Sequence, residues 1–132
     1  MKHAFSQKVF YSDTDAYGVV WHGNYLRWLE MGRVLLCEER GYKLSELVEK
    51  DIVLPVTELE IKYKNSAKLD DEIIIETDIV EHGRFYITFY QKILDKNTQK
   101  TYIEATVKVV AINKDGKLYR SLPEQIKNIC LR

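Results

Sequence analysis

Residues 11–25 read Tyr-Ser-Asp-Thr-Asp-Ala-Tyr-Gly-Val-Val-Trp-His-Gly-Asn-Tyr, and place two carboxylates, Asp13 and Asp15, in a loop that feeds an apolar helix. A helix start presents free backbone N–H groups and the positive end of the helix dipole. Aimed at an acyl carbonyl, such groups stabilise the oxyanion that develops when that carbonyl is attacked. A carboxylate beside them can serve as the nucleophile or as the base that activates water. Gly18 and Gly23 let the backbone approach a ligand closely. The chemistry that this set of residue types suits is therefore acyl transfer to water.

Each residue also has a plain structural reading. An aspartate next to a turn commonly accepts local backbone hydrogen bonds, and Asp13 fits that role. His22 fits a packed histidine and Trp21 a core residue. Other chemistries lack their parts. The histidines are His3, His22 and His82, with no H-E-x-x-H, and the cysteines, Cys37 and Cys130, form no C-x-x-C, so no metal site is expected. No glycine-rich phosphate loop and no G-x-S-x-G nucleophile elbow occurs. Cys37 falls in the middle of the helix and reads as inert.

The elements that must position these residues follow from periodicity. Residues 3–12 read as a strand and 13–23 as a loop. A helix is expected over 24–40, with Asn24 as its N-cap and Gly41 just past its end. Tyr25, Trp28, Leu29, Gly32, Leu35 and Leu36 recur at spacings of three and four and form its apolar stripe. Leu26, Met31 and Val34 widen that stripe, so more than one side of the helix should be covered. A short helix over 45–50 follows.

From Ile52 the period becomes two. In residues 58–64, Leu59, Ile61 and Tyr63 alternate with Glu58, Glu60, Lys62 and Lys64. Further strands are expected over 73–80, 84–94 and 101–113, separated by the polar stretches His82-Gly83 and 95–100 and closed by Asp115-Gly116. Ser121, Pro123 and Glu124 have capping-box spacing and start a C-terminal helix over 121–130. The pattern is that of an α+β domain, a sheet curled around one helix. Such a sheet leaves an edge strand that a second copy can cover.

The whole chain of 132 residues fits one domain. Lysine plus arginine and aspartate plus glutamate stand at 20 each, so no net field points to nucleic acid. No apolar run reaches the ~20 residues of a membrane span, and the start, MKHAFSQKVF, lacks a signal-peptide core. Two widely spaced cysteines read as reduced thiols. A cytoplasmic protein is expected.

The stretch 11–25 resembles the 4-hydroxybenzoyl-CoA thioesterase family of hotdog proteins, above all its acyl-CoA thioesterase branch associated with the bacterial Tol–Pal system. The branch motif is D-T-D-A-x-G-V-V-x-H-x-x-Y, met here by Asp13, Thr14, Asp15, Ala16, Gly18, Val19, Val20, His22 and Tyr25, and followed by Glu30 and Arg33 on the helix. Residues 56–73 resemble the family's next strand and its A-x-L-D-D turn, so the likeness covers most of the chain.

The resemblance implies a hotdog fold and hydrolysis of an acyl-CoA, with no cofactor beyond the CoA of the substrate. It makes Asp15 the catalytic carboxylate and assigns the carbonyl-polarising N–H to His22, whose side chain orients water or the carboxylate, or packs. Gly23 and Asn24 would shape the pocket. Tyr17 stands where relatives often carry a small residue, and Gly23 where Ala or Pro is commoner, so both bear on pocket shape and substrate length. Glu30 would approach the acyl pocket, although a pair with Arg33 is its plainer expectation. Arg84 would meet the CoA phosphates. A homodimer or homotetramer is implied, with the site between the Asp15 loop and the partner subunit. Acyl carrier protein as the acyl donor, and a non-catalytic acyl-CoA-binding module, remain as alternatives. A dehydratase fits less well, since no His-plus-acid hydratase signature occurs.

Overall fold

The apolar stripe of the long helix dictates the architecture, because it must be buried against a sheet. The computed structural model describes residues 2–131. In chain order the elements are β1 (His3–Lys8), a 3-10 turn (Tyr11–Asp13), α1 (Asn24–Glu39), α2 (Leu44–Glu49), β2 (Val56–Tyr63), β3 (Glu72–His82), β4 (Tyr86–Asp95), β5 (Thr101–Val110) and α3 (Glu124–Cys130). The five strands form one antiparallel sheet in the order β1-β3-β4-β5-β2, so the N-terminal strand and the strand after the helices occupy opposite edges. Register shifts in β2, in β3 and between β4 and β5 mark local departures from regular pairing, of the kind that adds twist and bends a sheet.

Helix α1 packs over β3, β1 and β4. It comes close to the sheet at Gly32, where a Cβ would stand 2.4 Å from the Thr77 hydroxyl and 3.0 Å from the Gln91 amide nitrogen. Those two polar side chains are fully buried, and both are satisfied. The Gln91 amide donates to the Leu29 carbonyl and to Thr77 Oγ1, each at 2.8 Å, and its oxygen accepts from Arg33 at 2.9 Å. The helix end is equally well made. Gly41 adopts φ 99°, its N–H bonds the Glu38 carbonyl, and the Tyr42 N–H bonds the Cys37 carbonyl, which is the paired closure of a glycine-terminated helix.

The core has two lobes. One, around Tyr25, Trp28, Ile75 and Ile103, lies beneath the start of α1. The other, around Leu36, Phe89 and Val107, is covered by Leu47 of α2, by Leu122 just before α3, and by Ile126 and Ile129 of α3. The buried Arg40 guanidinium donates to the Ile129 carbonyl at 2.7 Å and fastens α3 to α1.

Several local expectations are corrected. The first strand ends at Lys8, four residues early, because residues 11–13 wind into the 3-10 turn. Gly23, and not Asn24, is the N-cap of α1. Ser121 caps nothing: α3 begins at Glu124, after Pro123, with no side-chain cap. The last strand stops at Val110, since Ile112 turns away to bridge Val53 and Leu118. On β2, Ile61 packs on the core, whereas Leu59 and Tyr63 remain 44% and 48% exposed. The strand lies beyond β5, at the sheet edge away from the strands that α1 covers.

The tight contact at Gly32 gives a stability test. Gly32→Ala forces a methyl group into Thr77 and Gln91, and should cost about 1–3 kcal/mol despite the higher helix propensity of alanine, read as a lowered urea midpoint.

Candidate active site

The loop between β1 and α1 is organised by a buried carboxylate. Asp13 is 6% exposed. Its Oδ2 accepts from the Phe10 N–H at 2.9 Å, and its Oδ1 accepts from the Asn24 amide at 2.9 Å, with the Arg27 guanidinium 3.5 Å away. Its backbone carbonyl accepts from the Trp21 N–H. One residue thus ties the end of the strand, the end of the loop and the first turn of α1 together. Asn24, expected to cap the helix and shape a pocket, spends its side chain on Asp13 instead.

Between these ties, residues 14–20 fold back on themselves. Thr14 pairs with Val20, the Asp15 N–H bonds the Val19 carbonyl at 2.9 Å, and the Gly18 N–H bonds the Asp15 carbonyl at 3.0 Å. Gly18 takes φ 79°, which a side chain would resist. This small hairpin docks on residues 67–68, where Val19 pairs with Lys68 and the Val20 N–H bonds the Ala67 carbonyl. Ala67 in turn donates its N–H to the Tyr25 hydroxyl at 3.0 Å.

Asp15 stands at the tip of the hairpin. Its Oδ1 accepts from the Tyr17 N–H at 2.8 Å, a local turn bond that fixes the side chain. Its Oδ2 makes no hydrogen bond within the described residues. Asp15 borders two open clefts. One, of about 340 Å³, is lined by Asp15, His22, Tyr25, Tyr63, Lys64 and Asn65 among others; the second, of about 530 Å³, is lined by Tyr11, Thr14, Asp15, Ala16, Gly18 and Leu69.

His22 immediately precedes the N-cap residue of α1. Its ring lies against Trp21 and edge-on to Tyr63, with centroids 5.4 Å and 6.5 Å apart. The backbone N–H groups of His22 and Gly23 have no acceptor among the described residues. Trp21 is exposed rather than part of the core. Its indole lies over Gly23, where a Cβ would come within 2.3 Å of the ring. A residue larger than glycine would displace it.

The remaining sequence candidates divide. Tyr17 is 90% exposed beside Asp15 and offers its backbone, not its ring, to the carboxylate. Glu30 sits on the exposed face of α1 and lines neither cleft. The expected Glu30–Arg33 pair is absent among the described residues; Arg33 bonds Gln91 on β4 instead. Burial lowers the Arg33 guanidinium from its ordinary pKa, and the Glu30 charge opposes that shift. Arg84 lies in the β3–β4 connection, at the opposite end of the sheet. The ten residues of β4 separate it from the Asp15 end, about 30 Å within one chain. Burial raises the Cys37 thiol to about 11, which makes it a poor nucleophile. No group of three or more His, Cys, Asp or Glu among the described residues could hold a metal ion.

The two aspartates of the loop should separate cleanly in unfolding experiments. Asp13→Ala leaves the Phe10 N–H and the Asn24 amide without their acceptor in a partly buried place, and should cost about 1–3 kcal/mol. Asp15→Asn keeps an oxygen for the Tyr17 N–H and should shift stability by less than about 0.5 kcal/mol.

Comparison with known proteins places the chain in a family. Residues 9–129 match the family model described as the thioesterase-like superfamily. The chain is 33% identical over 125 residues to the acyl-CoA thioesterase YbgC of Haemophilus influenzae, covering 94% of this chain and 90% of the relative. It is 31% identical over 120 residues to the acyl-CoA thioester hydrolase YbgC of Escherichia coli O157:H7, covering 90% and 88%. Among solved structures, the 4-hydroxybenzoyl-CoA thioesterase from a Pseudomonas species superposes with a TM-score of 0.85 at 24% identity, covering 99% of each chain. A 1,4-dihydroxy-2-naphthoyl-CoA thioesterase from Synechocystis reaches 0.91 at 17% identity, covering 99% of this chain and 96% of that one. The chain belongs to the thioesterase-like superfamily and has its hotdog fold.

Proposed function

We propose that the protein hydrolyses an acyl-CoA to the free carboxylic acid and CoA, with Asp15 as the catalytic carboxylate. The observation that carries this reading is the state of Asp15: one oxygen is fixed by the Tyr17 N–H, the other makes no hydrogen bond among the described residues, and the residue lines a cleft with His22 at the start of α1. The thioester carbonyl would lie against the His22 N–H, which polarises it and then holds the oxyanion. Asp15 attacks the carbonyl carbon, or takes a proton from the water that does. The tetrahedral intermediate collapses, the C–S bond breaks, and the CoA thiolate leaves and takes up a proton. If Asp15 itself attacked, water then cleaves the acyl-carboxylate anhydride. No cofactor is needed for either route. The names of the relatives in Haemophilus influenzae and Escherichia coli support CoA as the carrier.

Two copies complete the site in this reading. β2 is an edge strand with Val56, Leu59 and Tyr63 exposed, the kind of edge that a second strand covers. A two-fold axis through paired β2 strands makes them antiparallel. That arrangement brings the partner's β3–β4 end, and with it a second Arg84, to the same end as this chain's Asp15. A guanidinium there suits the phosphates of CoA. In the same reading, dimers pair through their faces into a homotetramer. The reading places the protein in the cytoplasm, in keeping with two unbridged cysteines. No helix among the described residues is long and apolar enough to cross a membrane.

Turnover of short-chain, long-chain and aromatic CoA thioesters, alongside one acyl chain on acyl carrier protein, tests the substrate. Asp15→Asn should lower kcat by about 10²–10⁴-fold while a non-hydrolysable acyl-CoA thioether still binds. Unchanged hydrolysis by that variant would overturn the mechanism, and binding without hydrolysis by the wild type would make the protein a carrier. For the assembly, sedimentation should give a dimer or tetramer for the wild type and a smaller species for Leu59→Asp. A monomeric wild type with full activity excludes the shared site.

A further inference from the structure

Tyr25 has a ring and a hydroxyl with separable uses. The ring belongs to the core: it is 2% exposed and meets Trp28 and Tyr63 edge-on, with centroids 5.7 Å and 6.0 Å away. Phenylalanine would fill that space equally well. The hydroxyl accepts the Ala67 N–H at 3.0 Å. Ala67 is the residue whose carbonyl accepts the Val20 N–H, and the neighbouring Val19 carbonyl accepts the Asp15 N–H, both at 2.9 Å. Val19 also pairs with Lys68. A continuous run of hydrogen bonds therefore leads from the Tyr25 hydroxyl through residue 67 and residues 19–20 to the backbone of Asp15.

We propose that the Tyr25 hydroxyl is a positioning group for the reaction: it fixes residue 67, against which the Asp15 hairpin is docked, and so sets where the Asp15 carboxylate stands relative to the start of α1. The inference rests on the reading of Asp15 as the catalytic carboxylate. Its logic is mechanical. Asp15 is anchored within its own hairpin by short local bonds, and those bonds move with the hairpin if the hairpin moves. Asp13 ties the two ends of the loop to Phe10 and Asn24, and the pairing with residues 67–68 sets the hairpin between them against the loop before β3. The Tyr25 ring is held in the core at the first turn of α1, so its hydroxyl gives that pairing the same reference frame as the helix start, where the His22 N–H lies. A displacement of about 1 Å between nucleophile and oxyanion donor is enough to cost on the order of 10²-fold in rate.

Tyr25→Phe, compared with wild type in the presence and absence of Asp15→Asn, tests this. In the wild-type background the substitution should lower kcat by about 10- to 100-fold and leave KM for the acyl-CoA within about twofold. In the Asp15→Asn background it should have no further effect on the residual rate, because there is no carboxylate left to position. Equal fold-losses in the two backgrounds, or a wild-type kcat for Tyr25→Phe, would refute the assignment. A loss expressed in KM alone would refute it too, since it would mean that the hydroxyl serves binding. If Tyr25→Phe fails to fold, replacement of the Ala67 amide by an ester removes the donated N–H and keeps the phenol. The same loss and the same background dependence are then expected, and failure of both variants to fold would reduce the bond to a structural one. Asp15→Asn alone with wild-type activity signals failure of the underlying mechanism, and that outcome is read before the Tyr25 comparison is made.

Discussion

The arrangement of the site depends on one buried negative charge. A carboxylate withdrawn from water is tolerated only when its oxygens are satisfied, and Asp13 meets that demand by gathering donors from both ends of the loop: the Phe10 N–H, the Asn24 amide and the nearby Arg27. The demand works as a constraint on the chain. With Phe10 and Asn24 held to one side chain, residues 14–22 have little freedom, and the hairpin that carries Asp15 is directed over residues 67–68. Asp15 is released from any such duty. Two aspartates separated by one residue thus have opposite environments, one saturated and buried, the other with an oxygen to spare at a cleft.

A second constraint acts through α1. The helix can lie close to the sheet only where it has no side chain, and Gly32 supplies that point against Thr77 and Gln91. The polar groups that meet there would be costly if left alone; bonded to one another, to Leu29 and to Arg33, they fix the helix along its axis as well as in depth. The start of α1 is thereby set relative to β3 and β4, and so relative to the loop before β3 on which the Asp15 hairpin rests. The chemistry of the loop and the packing of the core are linked through the same helix.

The sequence made the periodic parts legible. The helix over 24–40 and the strands after residue 72 follow from the spacing of apolar residues, since the forces that bury them are local in register. The Asp15 hairpin was visible as chemistry and as a family resemblance, but its fold was not, because it depends on pairing with residues some fifty positions away. The same limit explains the errors. Asn24 has the character of a cap, yet a buried Asp13 is a stronger acceptor for its amide than the cap role is a use for its oxygen. Arg33 lies one turn from Glu30, yet Gln91, fifty-eight residues on, offers it a buried partner. β2 alternates as a half-buried strand should, and the helix that would cover its inner face lies over other strands. Tyr25 stands in the motif by resemblance, but the use of its hydroxyl is not legible in the sequence: within the apolar stripe of a helix, a tyrosine reads as core.

β2 shows how the two halves of the site differ in origin. The wall that holds Asp15 is built by hydrogen bonds within one chain, most of them backbone to backbone, and tolerates little change. The facing wall is formed of exposed residues at the end of the edge strand and just after it: Tyr63, Lys64 and Asn65. Exchange of such side chains alters the shape of the cleft without disturbing the hairpin, since none of the three supplies a bond that holds Asp15. Asp15 takes its local bond from the Tyr17 backbone, which any residue but proline provides. Under the proposed mechanism the geometry of attack and the fit of the acyl group are separately adjustable, so that one set of reacting groups can serve different acyl chains.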